Sequence, residues 1–141
     1  MRRSGTTPDD YLATLPADLR ATMNELDDWI SRVFAGRGRS LWEGVFWGGT
    51  EQSIIGYGDI VQPRPRGDDV EWFAVGLARQ KDHFSLYVNA AEDGAYLLAS
   101  YKSRLGKAKV GSASIAFTDL AKLDREVLDE LLVRAEALTR D

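Results

Sequence analysis

From residue 19 to residue 33 the apolar side chains fall at Leu19, Met23, Leu26, Ile30 and Val33, at steps of three and four. That spacing puts them on one face of a helix. Asp18, Arg20, Asn24, Glu25, Asp28 and Arg32 fill the rest of the turn, and Gly36 supplies a stop. A shorter helix precedes it. Pro8 suits a first turn, Asp9 and Asp10 complement its positive end, and Leu15-Pro16 separates the two pieces.

The period then changes to two. Residues 41–47 are apolar and aromatic, and Gly48-Gly49 predicts a turn into a second strand over 53–60. The proline-rich stretch 62–69 predicts an exposed loop. Residues 71–79 form a third strand, with Phe73, Val75 and Leu77 on one face and Trp72, Ala74, Gly76 and Ala78 on the other. Residues 83–88 form a fourth, with Phe84, Leu86 and Val88 opposite His83, Ser85 and Tyr87. Connections this short exclude crossovers, so the sheet is antiparallel.

A stripe of Leu97, Leu98, Tyr101 and Leu105 predicts a helix over 92–105, ended by Gly106. Residues 109–117 predict a fifth strand. Asp124 caps the last helix, and Leu123 can pack on Leu128 as a hydrophobic staple. The order α-α-β-β-β-β-α-β-α predicts an α+β domain: an antiparallel sheet of about five strands with the N-terminal helices and the C-terminal helix packed on it. Residues 1–7 read as a flexible tail and 8–141 as a single domain.

Composition narrows the chemistry. The chain has 141 residues, no cysteine and a net charge of −4. Disulfides, thiolate metal sites and thiol nucleophiles are thereby excluded. An acidic balance argues against a nucleic-acid partner. Arg2-Arg3 is not followed by an apolar segment and no apolar run is long enough for a membrane span, so the expected location is cytoplasmic.

The strand face opposite the bulky one is rich in small residues: Ala74, Gly76, Ala78, Ser85, Ser112, Ser114 and Ala116. Edged by aromatics, such a face predicts a shallow ligand groove with Trp42, Tyr57, Trp72, Lys81, His83 and Tyr87 as its candidate residues. The alternative is a sheet face that is solvated or covered by a helix. Glu25 and Asp28, with Asp18 and Asp27 nearby on the second helix, are candidate oxygen ligands for a hard cation. The alternative is a solvated helix face, because Asp28 and Arg32 form an i,i+4 pair. His83 and Ser85 share a strand face about 7 Å apart and Asp82 is directed elsewhere, which predicts no triad. Gly56-Tyr57-Gly58 lacks the third glycine and the following helix of a phosphate loop. Lys102, Arg104, Lys107 and Lys109 surround Gly106, as a complement to a helix end or as an anion or partner patch.

Several segments together resemble a known family. They are Leu105-Gly106-Lys107-Ala108-Lys109-Val110-Gly111 with Leu120 through Leu128, Arg79 through Tyr87, Ser53 through Gly58, and Tyr11-Leu12 to Leu19-Arg20. Over roughly residues 8–138 the chain resembles the YdhG-like family, domain of unknown function 1801. The resemblance implies the same α+β fold. It also implies a frataxin-like iron-chaperone role, linked to some members, carried by exposed carboxylates. The expected function is therefore a non-enzymatic binding domain for a small molecule or labile iron. The alternative is a protein-interaction or homodimerisation module that uses the sheet face.

Overall fold

The computed structural model describes residues 2–45, 51–62 and 67–140. The predicted turn at Gly48-Gly49 and the proline-rich part of the loop at 63–66 lie outside the described residues. The fold is α+β: three helices and an antiparallel seven-stranded sheet, among the described residues. The strands are β1 (Arg2–Arg3), β2 (Arg39–Val45), β3 (Glu51–Gln62), β4 (Val70–Arg79), β5 (Phe84–Val88), β6 (Ala91–Glu92), β7 (Ala95–Tyr96), β8 (Lys109–Val110) and β9 (Ser114–Phe117). The helices are α1 (Pro8–Ala13), α2 (Ala17–Val33) and α3 (Arg125–Thr139). The main sheet runs β1-β2-β3-β4-β5-β9-β8, and β6 and β7 pair apart from it.

Caps and turns fix the helix ends. Thr7 accepts a hydrogen bond from the Asp10 N–H at the start of α1, with Pro8 in the first turn. Asp124 caps α3 through the Val127 N–H, as the sequence predicts. At the other end of α3, the Arg37 guanidinium donates to the carbonyls of Glu136 and Thr139, each at 3.1 Å. These are acceptors that a helix end leaves unpaired.

The helices cover one face of the sheet. The cross-strand pairs Leu41–Ile55, Ile55–Leu77, Leu77–Leu86 and Leu86–Ile115 form one transverse apolar row. All five side chains are buried beneath Met23, Leu26 and Ile30 of α2 and Leu128, Leu131 and Leu132 of α3. Each such burial contributes about 1.5–3 kcal/mol. This row is the spine of the core.

Four expectations need correction. The tail at 1–7 is not free: Arg2 and Arg3 pair with Glu43 and Trp42 as β1. Arg3 is held there by Asp59 at 3.0 Å and by the Trp42 ring, whose centroid is 5.0 Å from the guanidinium carbon. The helix predicted over 92–105 is instead the β6–β7 hairpin followed by a 3₁₀ turn over Leu97–Ser100. Asp93 and Gly94 both take positive φ, 54° and 80°, which is the geometry of a tight two-residue hairpin turn. The predicted fifth strand over 109–117 is the β8–β9 hairpin, folded at Gly111. Finally, Phe73 does not share a face with Val75 and Leu77.

Phe73 belongs to a second cluster, on the face away from the helices, with Trp42, Ile54, Trp72, Ala78 and Tyr87. The small residues of this face make a trough that the chain itself fills. Gly56 and Gly76 are cross-strand partners. A Cβ at Gly56 would stand 2.7 Å from Nε1 of Trp42, and one at Gly76 would stand 2.5 Å from Cε1 of Phe73. Trp72 stacks on Phe73 at 4.5 Å between ring centroids and meets Trp42 edge-on at 5.4 Å.

Gly76→Ala should therefore cost about 1–3 kcal/mol through overpacking against Phe73 and Ile54. Gly5→Ala, where a Cβ meets nothing within 4 Å, should cost little. Urea unfolding of the two variants checks this, and equal midpoints would contradict the filled trough.

Candidate functional site

Two places in the fold concentrate polar chemistry on the helix side of the sheet. One is sealed and the other is open.

The sealed one centres on Asp27, which lies on the inner face of α2 and is only 7% exposed. Arg39 grips it from β2 with both edges of its fork, Nε to Oδ1 at 3.0 Å and Nη2 to Oδ2 at 2.7 Å. The Tyr57 hydroxyl donates to Oδ1 at 2.6 Å from β3. Arg39 also reaches Asp9 of α1 at 2.9 Å. Burial alone would lower the Arg39 pKa, but its hydrogen bonds to Asp27 and Asp9 outweigh that and hold it above its ordinary value. Burial, reinforced by the Asp27 charge, pushes the Tyr57 phenol well above its ordinary range. With Asp27 committed to Arg39 and Tyr57, these groups act as a structural pin.

The open one lies where the apolar row runs out. Two residues further along each strand, the helix-side row reads Glu43 and Ser53, which are cross-strand partners, and then Arg79, Phe84 and Phe117. Half of this row is aromatic and packed: Phe84 and Phe117 stack at 5.6 Å, and the Arg79 guanidinium sits over Phe84 at 4.6 Å. The other half borders a cavity of about 760 Å³. Tyr11 and Leu15, from α1 and the turn after it, form its apolar wall. Glu43, Glu51 and Ser53 line the hairpin side, and Arg79, Lys81 and His83 line the opposite side. Burial pushes the Tyr11 phenol up, and a hydrogen bond from the Arg79 backbone partly offsets it.

The rim is held by a glutamine network. The Gln80 amide donates to Gln52 Oε1 and to the Tyr87 hydroxyl, each at 2.9 Å, and the buried Ser85 hydroxyl donates to Gln80 Oε1. Across the β4–β5 turn the Gln80 N–H reaches the His83 carbonyl at 2.9 Å. Lys81 and His83 are thus presented on a braced turn. His83 Nδ1 lies 2.7 Å from Asp82 Oδ1, and that hydrogen bond holds the Asp82 carboxyl below its ordinary value. Asp82 is therefore not directed away from His83, contrary to the sequence expectation.

The residues expected to share one groove do not. Lys81 and His83 border the cavity, and Tyr87 does not line it but is hydrogen-bonded to Gln80, which does. Trp42 and Trp72 are packed in the second cluster, and Tyr57 is on the other side of the sheet beside Asp27. Glu25 is paired with Arg125 of α3, while Asp28 is exposed. Among the described residues no three His, Asp or Glu side chains converge as a metal site would require. Sequence reasoning missed Tyr11, Leu15, Glu43, Glu51, Ser53 and Arg79. The signal was present in the alternation: Glu43 follows Leu41, and Arg79 follows Leu77, at inward-facing positions where a strand ordinarily places apolar residues.

No protein-family model, curated protein or solved structure matches this chain. Among the described residues no helix is long and apolar enough to cross a membrane.

The sealed site has a pH signature. The fold keeps Tyr57 protonated, so its contribution is complete below the ordinary phenol pKa of 10.0 and is lost as pH rises above it. At pH 7.5 Tyr57→Phe should cost about 1–3 kcal/mol, because Asp27 loses a donor. At pH 10.5 the gap between wild type and variant should narrow. Urea midpoints at the two pH values check this, and a constant gap would contradict it.

Proposed function

We propose that this protein is a non-enzymatic binding domain that takes a small polar ligand into the cavity between α1 and the ends of β2, β3 and β4. One observation carries the reading. Glu43, Glu51, Arg79 and Lys81 all border the cavity, and none has an ion-pair partner among the described residues. Elsewhere the fold pairs its inward-reaching charges closely, as at Asp27–Arg39 and Arg37–Glu136. Glu43 and Arg79 are half-buried on a core-facing row beside open space, with Glu51 and Lys81 exposed at its rim, and such charges are suited to an external partner. The volume also falls in the range of small-molecule sites, about 300–1,000 Å³.

The non-enzymatic part of the reading rests on the nearby hydroxyl and imidazole. The Ser85 hydroxyl is buried and given to Gln80, so it has no base beside it. The labile-iron version that the YdhG-like resemblance implies gains nothing from this geometry, since Glu25 is committed to Arg125. A mixed-charge cavity is a site for an organic ion rather than for a bare cation.

The test is protein-observed NMR with three probes at millimolar concentration: succinate, putrescine and L-leucine. At least one should give saturable shifts at the amides of residues 43, 51–53 and 79–83. Ser53→Trp, a substitution at a half-buried lining position, should abolish those shifts while leaving the fold intact. Shifts scattered over the surface, or unchanged by Ser53→Trp, would overturn the assignment of the cavity.

A further inference from the structure

The signs of the cavity's charges are sorted. Both carboxylates belong to the β2–β3 side: Glu43 on β2, and Glu51 two residues before Ser53 on the same face of β3. Both fixed cations belong to the β4–β5 side: Arg79 at the end of β4 and Lys81 in the turn after it. One wall is negative and the facing wall is positive. A ligand carrying charge of a single sign would meet one wall of like charge. A ligand with an ammonium at one end and a carboxylate at the other satisfies both.

The row geometry supplies a seat for it. Glu43 and Arg79 stand on the two strands flanking β3, with Ser53 between them, so their backbones are about 10 Å apart at the usual strand spacing. Neither side chain has an ion-pair partner among the described residues, and a molecule seated over Ser53 would lie between the two. Arg79 is oriented by the Phe84 face rather than by a carboxylate, which leaves its guanidinium donors available. A planar fork with two parallel N–H groups matches a ligand carboxylate. The Ser53 hydroxyl lies beneath. Above, Tyr11 and Leu15 offer an apolar surface for the ligand's body.

We propose that the cavity ligand is a zwitterion of the amino-acid type, its ammonium on Glu43 and its carboxylate on Arg79, with an apolar side chain against Leu15 and Tyr11. This rests on the assignment of the cavity as the binding site. Free amino acids and short peptides share this chemistry, and the cavity volume admits both.

Isothermal titration with L-leucine, the dipeptide Ala-Leu, N-acetyl-L-leucine and L-leucinamide separates the cases. At least one of the two zwitterions should bind saturably. N-acetyl-L-leucine, which lacks the ammonium, and L-leucinamide, which lacks the carboxylate, should each bind at least tenfold more weakly. The stronger of L-leucine and Ala-Leu identifies the source. Glu43→Gln should restore relative affinity for N-acetyl-L-leucine, and Arg79→Met should do so for L-leucinamide. Each variant should weaken the zwitterion at least tenfold, with unliganded melting close to wild type. Glu43→Gln alone suffices if Arg79→Met misfolds. Blocked forms binding within threefold of the zwitterion would overturn the proposal. So would binding of succinate or putrescine alone at the cavity amides, an outcome that leaves the cavity as a binding site. No binding by any of the six compounds would overturn both.

Discussion

The Asp27 carboxylate lies under the sheet, where an isolated charge would cost several kcal/mol, and it is held there by Arg39 and Tyr57. Arg39 and Tyr57 are cross-strand partners on β2 and β3, so the two donors form one rigid unit. Asp27 sits on α2 among Met23, Leu26 and Ile30, which close the core. The hydrogen bonds therefore fix the rotation and height of α2 against two strands at once. Apolar packing alone would tolerate a sliding helix; a bidentate ion pair with a third donor does not.

The same cluster sets the position of α1. Arg39 also binds Asp9, so the short first helix is tethered to the edge of the sheet by a charge that is already committed to the core. Two residues after Asp9 comes Tyr11, and Leu15 follows in the turn to α2. Both overhang the row in which the sheet changes from apolar to polar. On the far face, Trp42 and Phe73 fill the trough over Gly56 and Gly76 and pack against β3 and β4. The open cavity at the strand ends is thus bounded by Tyr11 and Leu15 on one side and by the Gln80 network on the other.

The architecture was legible wherever a period ran long enough. The stripe from Leu19 to Val33 contains a full apolar face, and its middle residues Met23, Leu26 and Ile30 are buried; the alternation in β5 marked a strand, though both of its faces are buried. The helix expected over 92–105 failed because Leu97, Leu98 and Tyr101 are buried in a 3₁₀ turn, which mimics a helical stripe over one turn only. Asp93-Gly94, a strong hairpin dipeptide, held the contrary signal. The site was less legible. Aromatic residues marked Trp42, Trp72 and Tyr57 as candidates, yet a large ring is more strongly drawn to a filled trough or a sealed core than to an open rim. Lys81 and His83 emerged because turn residues are presented outward. Glu43 and Arg79 were hidden because their significance lies in facing the same way as Leu41 and Leu77, and that emerges only once register aligns the strands.

The most direct test of this account is a double-mutant cycle on Asp27 and Arg39, read by urea unfolding at pH 7. Arg39→Met should cost about 3–5 kcal/mol, because it leaves the Asp27 charge buried without a cation, and Asp27→Ala should cost less, because the partly exposed Arg39 keeps Asp9. The double variant should fall short of the sum by about 2 kcal/mol or more, since removing both leaves no buried charge behind. Additivity within about 0.5 kcal/mol would show that Asp27 and Arg39 act independently. That result would contradict the claim that their pairing holds α1 and α2 in place over the sheet.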